Sequence, residues 1–209
     1  MRPASASAED PFLQADELRH RLREQARAAR RALDEPARQA AAIALLAQLR
    51  TLPAFDSARR VAAYAAVASE LSLQPLIDAM LARGQQVFLP HVEQHAPQMH
   101  FAPWNGDARR LKTNHFGIAE PMVDAAQLVA AETLDLILLP LLAFDRRGGR
   151  LGSGAGFYDR ALAFRLQQPA PPLLVGVGHA CQEVTEIPAE PWDVPLDAVV
   201  TDRELIICA

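Results

Sequence analysis

The run LDLILLPLLAF, residues 134–144, constrains this chain more than any other stretch. It has no alternation of apolar and polar residues, so a strand made from it must be buried on both faces. A parallel sheet covered on both sides meets that condition. The flanking chain supplies matching pieces. RVAAYAAV (60–67), QVFLP (86–90), QMHFAPW (98–104) and PLLVGVG (172–178) read as further strands, and LDAVVTDRELII (196–207) as a closing β segment. LSLQPLIDAMLARG (71–84), MVDAAQLVAAETL (122–134) and FYDRALAFRLQQ (157–168) read as helices between them. Two more helices lead the chain. In the first, Leu18, Leu22, Ala26, Ala29 and Leu33 recur at helical spacing behind Asp16 as N-cap. Asp34 caps the second, with Pro36 tolerated in its first turn.

At 209 residues, one domain over 16–209 is expected, preceded by a flexible tail over 1–15. The opening MRPASASAEDPFLQAD has no apolar core of a secretory signal, and no apolar run reaches membrane-spanning length. Cys181 and Cys208 form no CxxC pair and no disulfide framework, which points to a reducing, cytoplasmic setting. The net charge of -4 carries no general nucleic-acid footprint. Lys112 is the sole lysine, and no Gly-Lys pair exists, so a Walker A loop is excluded.

Strand carboxyl ends are where open α/β sheets collect ligands. Here Glu70, His91, Asp145, His179 and Asp202 follow or end predicted strands. The strongest local signal is GGRLGSGAGFYDR (148–160), which holds five of the ten glycines. Glycine lets backbone N–H groups approach a ligand, and a helix start adds unpaired donors and partial positive charge. The segment therefore reads as an anion cradle, most simply for phosphate, with a flexible surface hairpin as the alternative. G-x-G-x-G is not the dinucleotide fingerprint. Asp159 beside a phosphate calls for a bridging divalent cation, and Mg²⁺ suits a carboxylate plus phosphate oxygens; otherwise Asp159 complements the helix dipole.

Arg19, Arg23, Arg27 and Arg30 or Arg31 stripe the first helix, as a solvated face, as ligands for phosphate or carboxylate, or for nucleic acid, which the net negative charge disfavours. His91, His95 and His100 lack zinc-site order and read as solvent-facing. Glu70 is either a helix-capping acid or a substrate ligand, and Asp193, between prolines, reads as turn-forming.

Taken in order, the arginine helix ending RRAL, VAAYAAVASEL, FLPHV, NHFGIAEP, LPLLAFDRRGGRLGSGAGFYDR and EPWDVPLDAVVTD resemble the 5-formyltetrahydrofolate cyclo-ligase family. The resemblance implies an α/β fold: a three-layer α/β/α sandwich with a mostly parallel Rossmann-like sheet. It implies ATP- and Mg²⁺-dependent closure of 5-formyltetrahydrofolate to 5,10-methenyltetrahydrofolate, with release of ADP and phosphate. The family route passes through an N5-iminium phosphate, since an amide-like oxygen leaves poorly until phosphorylated. Phosphoryl transfer of this kind needs positioning and charge neutralisation above all.

By the same resemblance, Arg19 and Arg23 contact ATP with Gly152, Ser153, Gly154, Ala155, Gly156, Phe157 and Tyr158. Arg150, Tyr158 and Asp159 are the catalytic set. Asp159 and Asp193 hold the metal, and Glu70, Lys112 and Glu120 bind substrate. Ser153 and Ala155 stand where many members carry bases, so Arg150, the first-helix arginines, the metal and Lys112 are left to neutralise the γ-phosphate. The partners implied are a reduced folate and ATP, with no nucleic acid or membrane, and a monomeric chain. On the residues alone, two other readings stand: a sugar-phosphate isomerase or CoA-transferase-like enzyme using the loop for a substrate phosphate, and a non-catalytic folate- or nucleotide-binding module.

Overall fold

In the computed structural model, which describes residues 11–93 and 98–208, the 134–144 run supplies the middle of the sheet. β6 (Leu136–Pro140) lies between β1 (Arg60–Ala62) and β9 (Leu173–Val177) and is parallel to both. Outward from there come β2 (Gln86–Val92) beside β1, and β10 (Ala198–Val200) beside β9, again parallel. The edges are antiparallel: β3 (Met99–Trp104) on β2 and β11 (Leu205–Ile207) on β10. The complete order is β11-β10-β9-β6-β1-β2-β3.

Side-chain alternation along these strands builds two cores. Leu136 and Leu138 meet Val61, Val87, Val175 and Leu89 beneath α2 (Glu35–Leu49), α3 (Pro53–Ser57) and α4 (Gln74–Ala82), with Leu45, Phe55 and Met80 filling between. Ile137 and Leu139 face the other way, into Phe88, Phe101, Phe144 and Leu162. Burying each such Leu or Phe contributes about 1.5–3 kcal/mol, so continuous burial of β6 anchors both layers at once. Asp34 caps α2 by accepting Ala37 N–H at 2.9 Å, as its place in the sequence predicts.

The second layer differs from expectation. Residues 122–134 form no α-helix but two 3₁₀ turns, Ala125–Gln127 and Ala131–Thr133. Between them Val129 exchanges both backbone hydrogen bonds with Phe101 at 2.9 Å, and a helix cannot propagate through groups already committed to a strand. The 134–144 run also divides. After Pro140 it turns into a separate hairpin of β7 (Ala143–Phe144) and β8 (Arg150–Leu151). The predicted 157–168 helix is α5 (Phe157–Ala161) followed by a 3₁₀ turn, Ala163–Leu166. α1 starts at Pro11 and runs to Arg31, so residues 11–15 are helical and Asp16 lies inside the helix. The rest of the expected tail, and His95, lie outside the described residues. No helix among these is long and apolar enough to cross a membrane.

Candidate functional site

The glycine segment is shaped before any ligand is considered. Asp145, 2% exposed, accepts Arg147 N–H and Gly149 N–H on Oδ1 at 2.9 and 3.0 Å, and Ile187 N–H on Oδ2 at 2.9 Å. Its strand-end position predicts a ligand-facing acid; its oxygens instead hold the β7–β8 turn to the segment at Ile187. Gly148, at φ +89°, would bring a Cβ to 2.5 Å from Leu196 O, so no other residue fits there. Past β8, Gly152, Ser153, Gly154 and Ala155 form an exposed rim. Gly156 then caps α5 in the left-handed region at φ +66°, with Phe157, Tyr158 and Asp159 in the first turn.

α1 runs against this segment, and part of its arginine stripe faces inward. Arg19, Ala26 and Arg30 are buried on that side, Ala26 packing with Ala143, Leu151 and Ile187. The solvated-face reading therefore fails for Arg19 and Arg30, while Arg23 is half-buried. Arg27 only pairs with Glu24 along the helix, and Arg31 is exposed. Arg23 Nε donates to Gly152 O at 3.1 Å, and its Nη groups have no acceptor among the described residues. Arg19 is fully engaged. Its Nε and Nη2 donate to Pro188 O at 2.9 and 2.8 Å, Nη2 reaches Asp193 Oδ2 at 3.3 Å, and Nη1 reaches Glu190 Oε1 at 2.9 Å.

The two expected metal acids come together. Asp159 Oδ1 accepts both Nη groups of Arg150, at 3.0 and 2.6 Å, and Val194 N–H at 3.4 Å. Val194 directly follows Asp193, whose Oδ2 accepts Glu190 N–H at 2.8 Å while its own N–H donates to Glu190 O at 3.0 Å. Asp193 is thus turn-forming, as its prolines suggest, and adjacent to Asp159 as well. Among the described residues, Asp159 Oδ2 and Asp193 Oδ1 have no hydrogen-bond partner. Two open, hard oxygens suit Mg²⁺, which takes one or two carboxylates and completes its shell with phosphate oxygens and water. No cluster of three or more His, Cys, Asp or Glu side chains forms a closed cage among the described residues. A cleft of about 300 Å³ lies beside this pair on the Asp193 side, lined by Arg147, Gly149, Arg150, Asp193 and Val194 but not by Asp159 or the 152–156 rim. A larger groove of about 490 Å³ lies at the amino end of β2, among Gln86, Trp104, Arg110 and Met122, and contains none of the candidate residues.

Glu70 follows β1 at the carboxyl end of the sheet. Burial pushes its carboxyl above the ordinary glutamate value, against the opposing pull of the Val67 N–H bond and Arg30. The Tyr158 hydroxyl is buried without a partner among the described residues. Its pKa is pushed up by burial first and by Glu70 second. An orphaned buried hydroxyl costs about 1–3 kcal/mol, a cost that an entering acceptor removes.

Lys112 and Glu120 stand apart, facing each other across the hairpin of β4 (Leu111–Thr113) and β5 (Ala119–Pro121). Glu120 Oε1 accepts Val92 N–H and Asn114 Nδ2 at 2.8 and 2.7 Å, with His91 Nδ1 3.5 Å from Oε2. Lys112 is exposed. The hairpin tip reaches the glycine segment, where Phe116 meets Phe157 edge-to-face at 5.1 Å. Of the other strand-end residues, Asp202 accepts Ala180 N–H at 2.7 Å, while His91 Nδ1 lies 3.5 Å from Glu120 without a hydrogen bond among the described residues.

The model of the 5-formyltetrahydrofolate cyclo-ligase family matches residues 15–202. The chain belongs to this family. The Escherichia coli K12 5-formyltetrahydrofolate cyclo-ligase is 36% identical over 177 residues, spanning 84% of this chain and 96% of the relative. The Mycolicibacterium smegmatis cyclo-ligase is 37% identical over 183 residues, spanning 85% and 90%. The NMR structure of Aquifex aeolicus 5,10-methenyltetrahydrofolate synthetase superposes with a TM-score of 0.76 at 30% identity, covering 91% of this chain and 92% of that one. The Mycoplasma pneumoniae synthetase, at 21% identity and a TM-score of 0.69, shares the fold. Glu190, which pairs with Arg19, and Ser69 and Tyr64, which bond Arg30 and Leu71 O beside Glu70, carry no signal in the sequence, and the arginine spacing leaves Arg30 unresolved from Arg31. The arginine periodicity held the signal for Arg30: positions 19, 23, 26 and 30 share one helical face, and Ala26 marks that face as inward.

Proposed function

We propose that this chain closes 5-formyltetrahydrofolate to 5,10-methenyltetrahydrofolate in an ATP- and Mg²⁺-dependent reaction that releases ADP and phosphate. The observation that carries this reading is the convergence of Arg23, the Gly152–Gly156 rim and the adjacent acids Asp159 and Asp193 at one corner of the sheet. ATP supplies the phosphoryl group that makes the formyl oxygen a leaving group, and Mg²⁺ spreads the charge of the phosphates. The protein's part is positional. The glycine rim offers backbone N–H groups free of side chains, and Arg23 adds its Nη donors from α1. Asp159 and Asp193 would hold the cation, each having a carboxylate oxygen left open for it. Arg19 sets Asp193 by locking the 188–193 turn, and Arg150 sets Asp159 by its two-pronged hold on Oδ1. Glu70 takes the folate, and the orphan Tyr158 hydroxyl is satisfied by a ligand oxygen.

Family membership does not favour the isomerase, CoA-transferase or non-catalytic alternatives. We place Lys112 on the substrate side through the Phe116 hairpin; Glu120, 2% exposed and bonded to Val92 N–H and Asn114, instead shapes that hairpin. We also infer one folded unit over 16–209, extended at its start by the first residues of α1 from Pro11, and working as a monomer. Two free cysteines, one exposed, agree with a cytoplasmic setting. Phosphate release from ATP should begin only when 5-formyltetrahydrofolate is added, one phosphate per folate closed; release independent of folate contradicts the reading. Arg23→Ala should raise KM for ATP about tenfold and move KM for folate by less than about twofold, the loss of one charge-assisted contact. An equal rise in both is the opposing result.

A further inference from the structure

Arg30 lies on the inward face of α1, about 10 Å beyond Arg23 at 1.5 Å per residue. It is 7% exposed, and a guanidinium that deep needs partners. Its Nε donates to Ser69 Oγ at 3.0 Å. Ser69 belongs to a turn closed twice: Glu70 N–H donates to Val67 O at 3.1 Å, and Val67 N–H donates to Glu70 Oε2 at 2.9 Å. Between them Ala68 is left-handed at φ +54°, the one non-glycine residue with positive φ among those described. Such a conformation costs about 1–2 kcal/mol for a residue with a Cβ and persists only where its surroundings enforce it. Tyr64 flanks the same segment, its hydroxyl donating to Leu71 O at 2.8 Å. The turn therefore hangs from β1 on one side and from α1 on the other, and Arg30 is the α1 side.

We propose that Arg30 is the positioning residue for Glu70: through Ser69 it holds the strained Val67–Glu70 turn closed, so that the Glu70 carboxylate is set in advance for reduced folate. This rests on the reading that Glu70 binds the folate. It divides α1 by function, with Arg23 serving the ATP side through Gly152 and Arg30 serving the folate side through Ser69.

The test compares wild type with Arg30→Ala, Arg30→Lys and Ser69→Ala, each first shown to be folded by its thermal transition. Calorimetric binding of 5-formyltetrahydrofolate without ATP is measured beside KM for each substrate and kcat. Arg30→Ala should weaken folate binding and raise folate KM about tenfold, with ATP KM and kcat changing less than about twofold. Arg30→Lys, which keeps a donor for Ser69, should recover at least about threefold of that loss, and Ser69→Ala should reproduce part of it. Unchanged folate affinity in a folded Arg30→Ala protein, or equal loss for ATP and folate, would overturn the assignment. Folate affinity that survives in Arg30→Ala but falls in Glu70→Gln would reject Arg30 and keep Glu70. Wild-type protein that binds no 5-formyltetrahydrofolate would overturn the underlying reading, and this role with it.

Discussion

Asp159→Asn should lower kcat by about a thousandfold while leaving the protein folded. The substitution conserves shape. An asparagine oxygen at the Oδ1 position still accepts Arg150 and Val194 N–H, so the contacts that seat the residue survive. What disappears is the negative charge and the open Oδ2, replaced by an amide NH₂ that repels a cation. A purely structural Asp159 would tolerate the exchange. The measurement is kcat at saturating Mg-ATP together with the thermal transition, which should move by only a few degrees, the size of about 1 kcal/mol in a domain like this. Near-normal turnover in Asp159→Asn would remove Asp159 from the metal-binding role.

Asp145→Ala should have the largest effect on stability. Three backbone N–H groups, of Arg147, Gly149 and Ile187, lose their acceptor together. At about 1–3 kcal/mol for each unsatisfied donor, and with water reaching the turn in part, a loss of about 4 kcal/mol is expected. Activity should fall further than stability alone explains, because this turn aims β8 and the glycine rim. Asp145→Asn, which keeps the Oδ1 acceptor, should recover about half. Denaturant midpoints for both variants test this, and a loss under about 1 kcal/mol for Asp145→Ala would mean that the turn is held by something else.

The sheet was legible because its strands are apolar throughout: 134–144, 60–67 and 172–178 each place a strand where the sequence pattern does. Lengths were not legible. Hydrophobicity continues past Pro140 and past Ala62, yet the chain leaves the sheet at both points, since pairing depends on partners distant in sequence. The 122–134 segment misleads for the same reason: its helical composition yields to Phe101 across the edge strand, which claims Val129. The glycine segment announced itself locally, and the adjacency of Asp159 to Asp193 followed from family resemblance, not spacing. Arg30 and Ser69 were harder. A serine in VASEL carries no mark of burial, and an arginine on a helix is more often solvated than inward, so their hydrogen bond emerges only when α1 packs on the strand ends.

The most direct measurement of the central claim is growth of the 5,10-methenyltetrahydrofolate absorbance band from 5-formyltetrahydrofolate, with and without Mg-ATP. The account predicts growth that requires both ATP and Mg²⁺ and that scales with enzyme. A band that fails to grow at high enzyme concentration, or that grows equally without Mg-ATP, would contradict it.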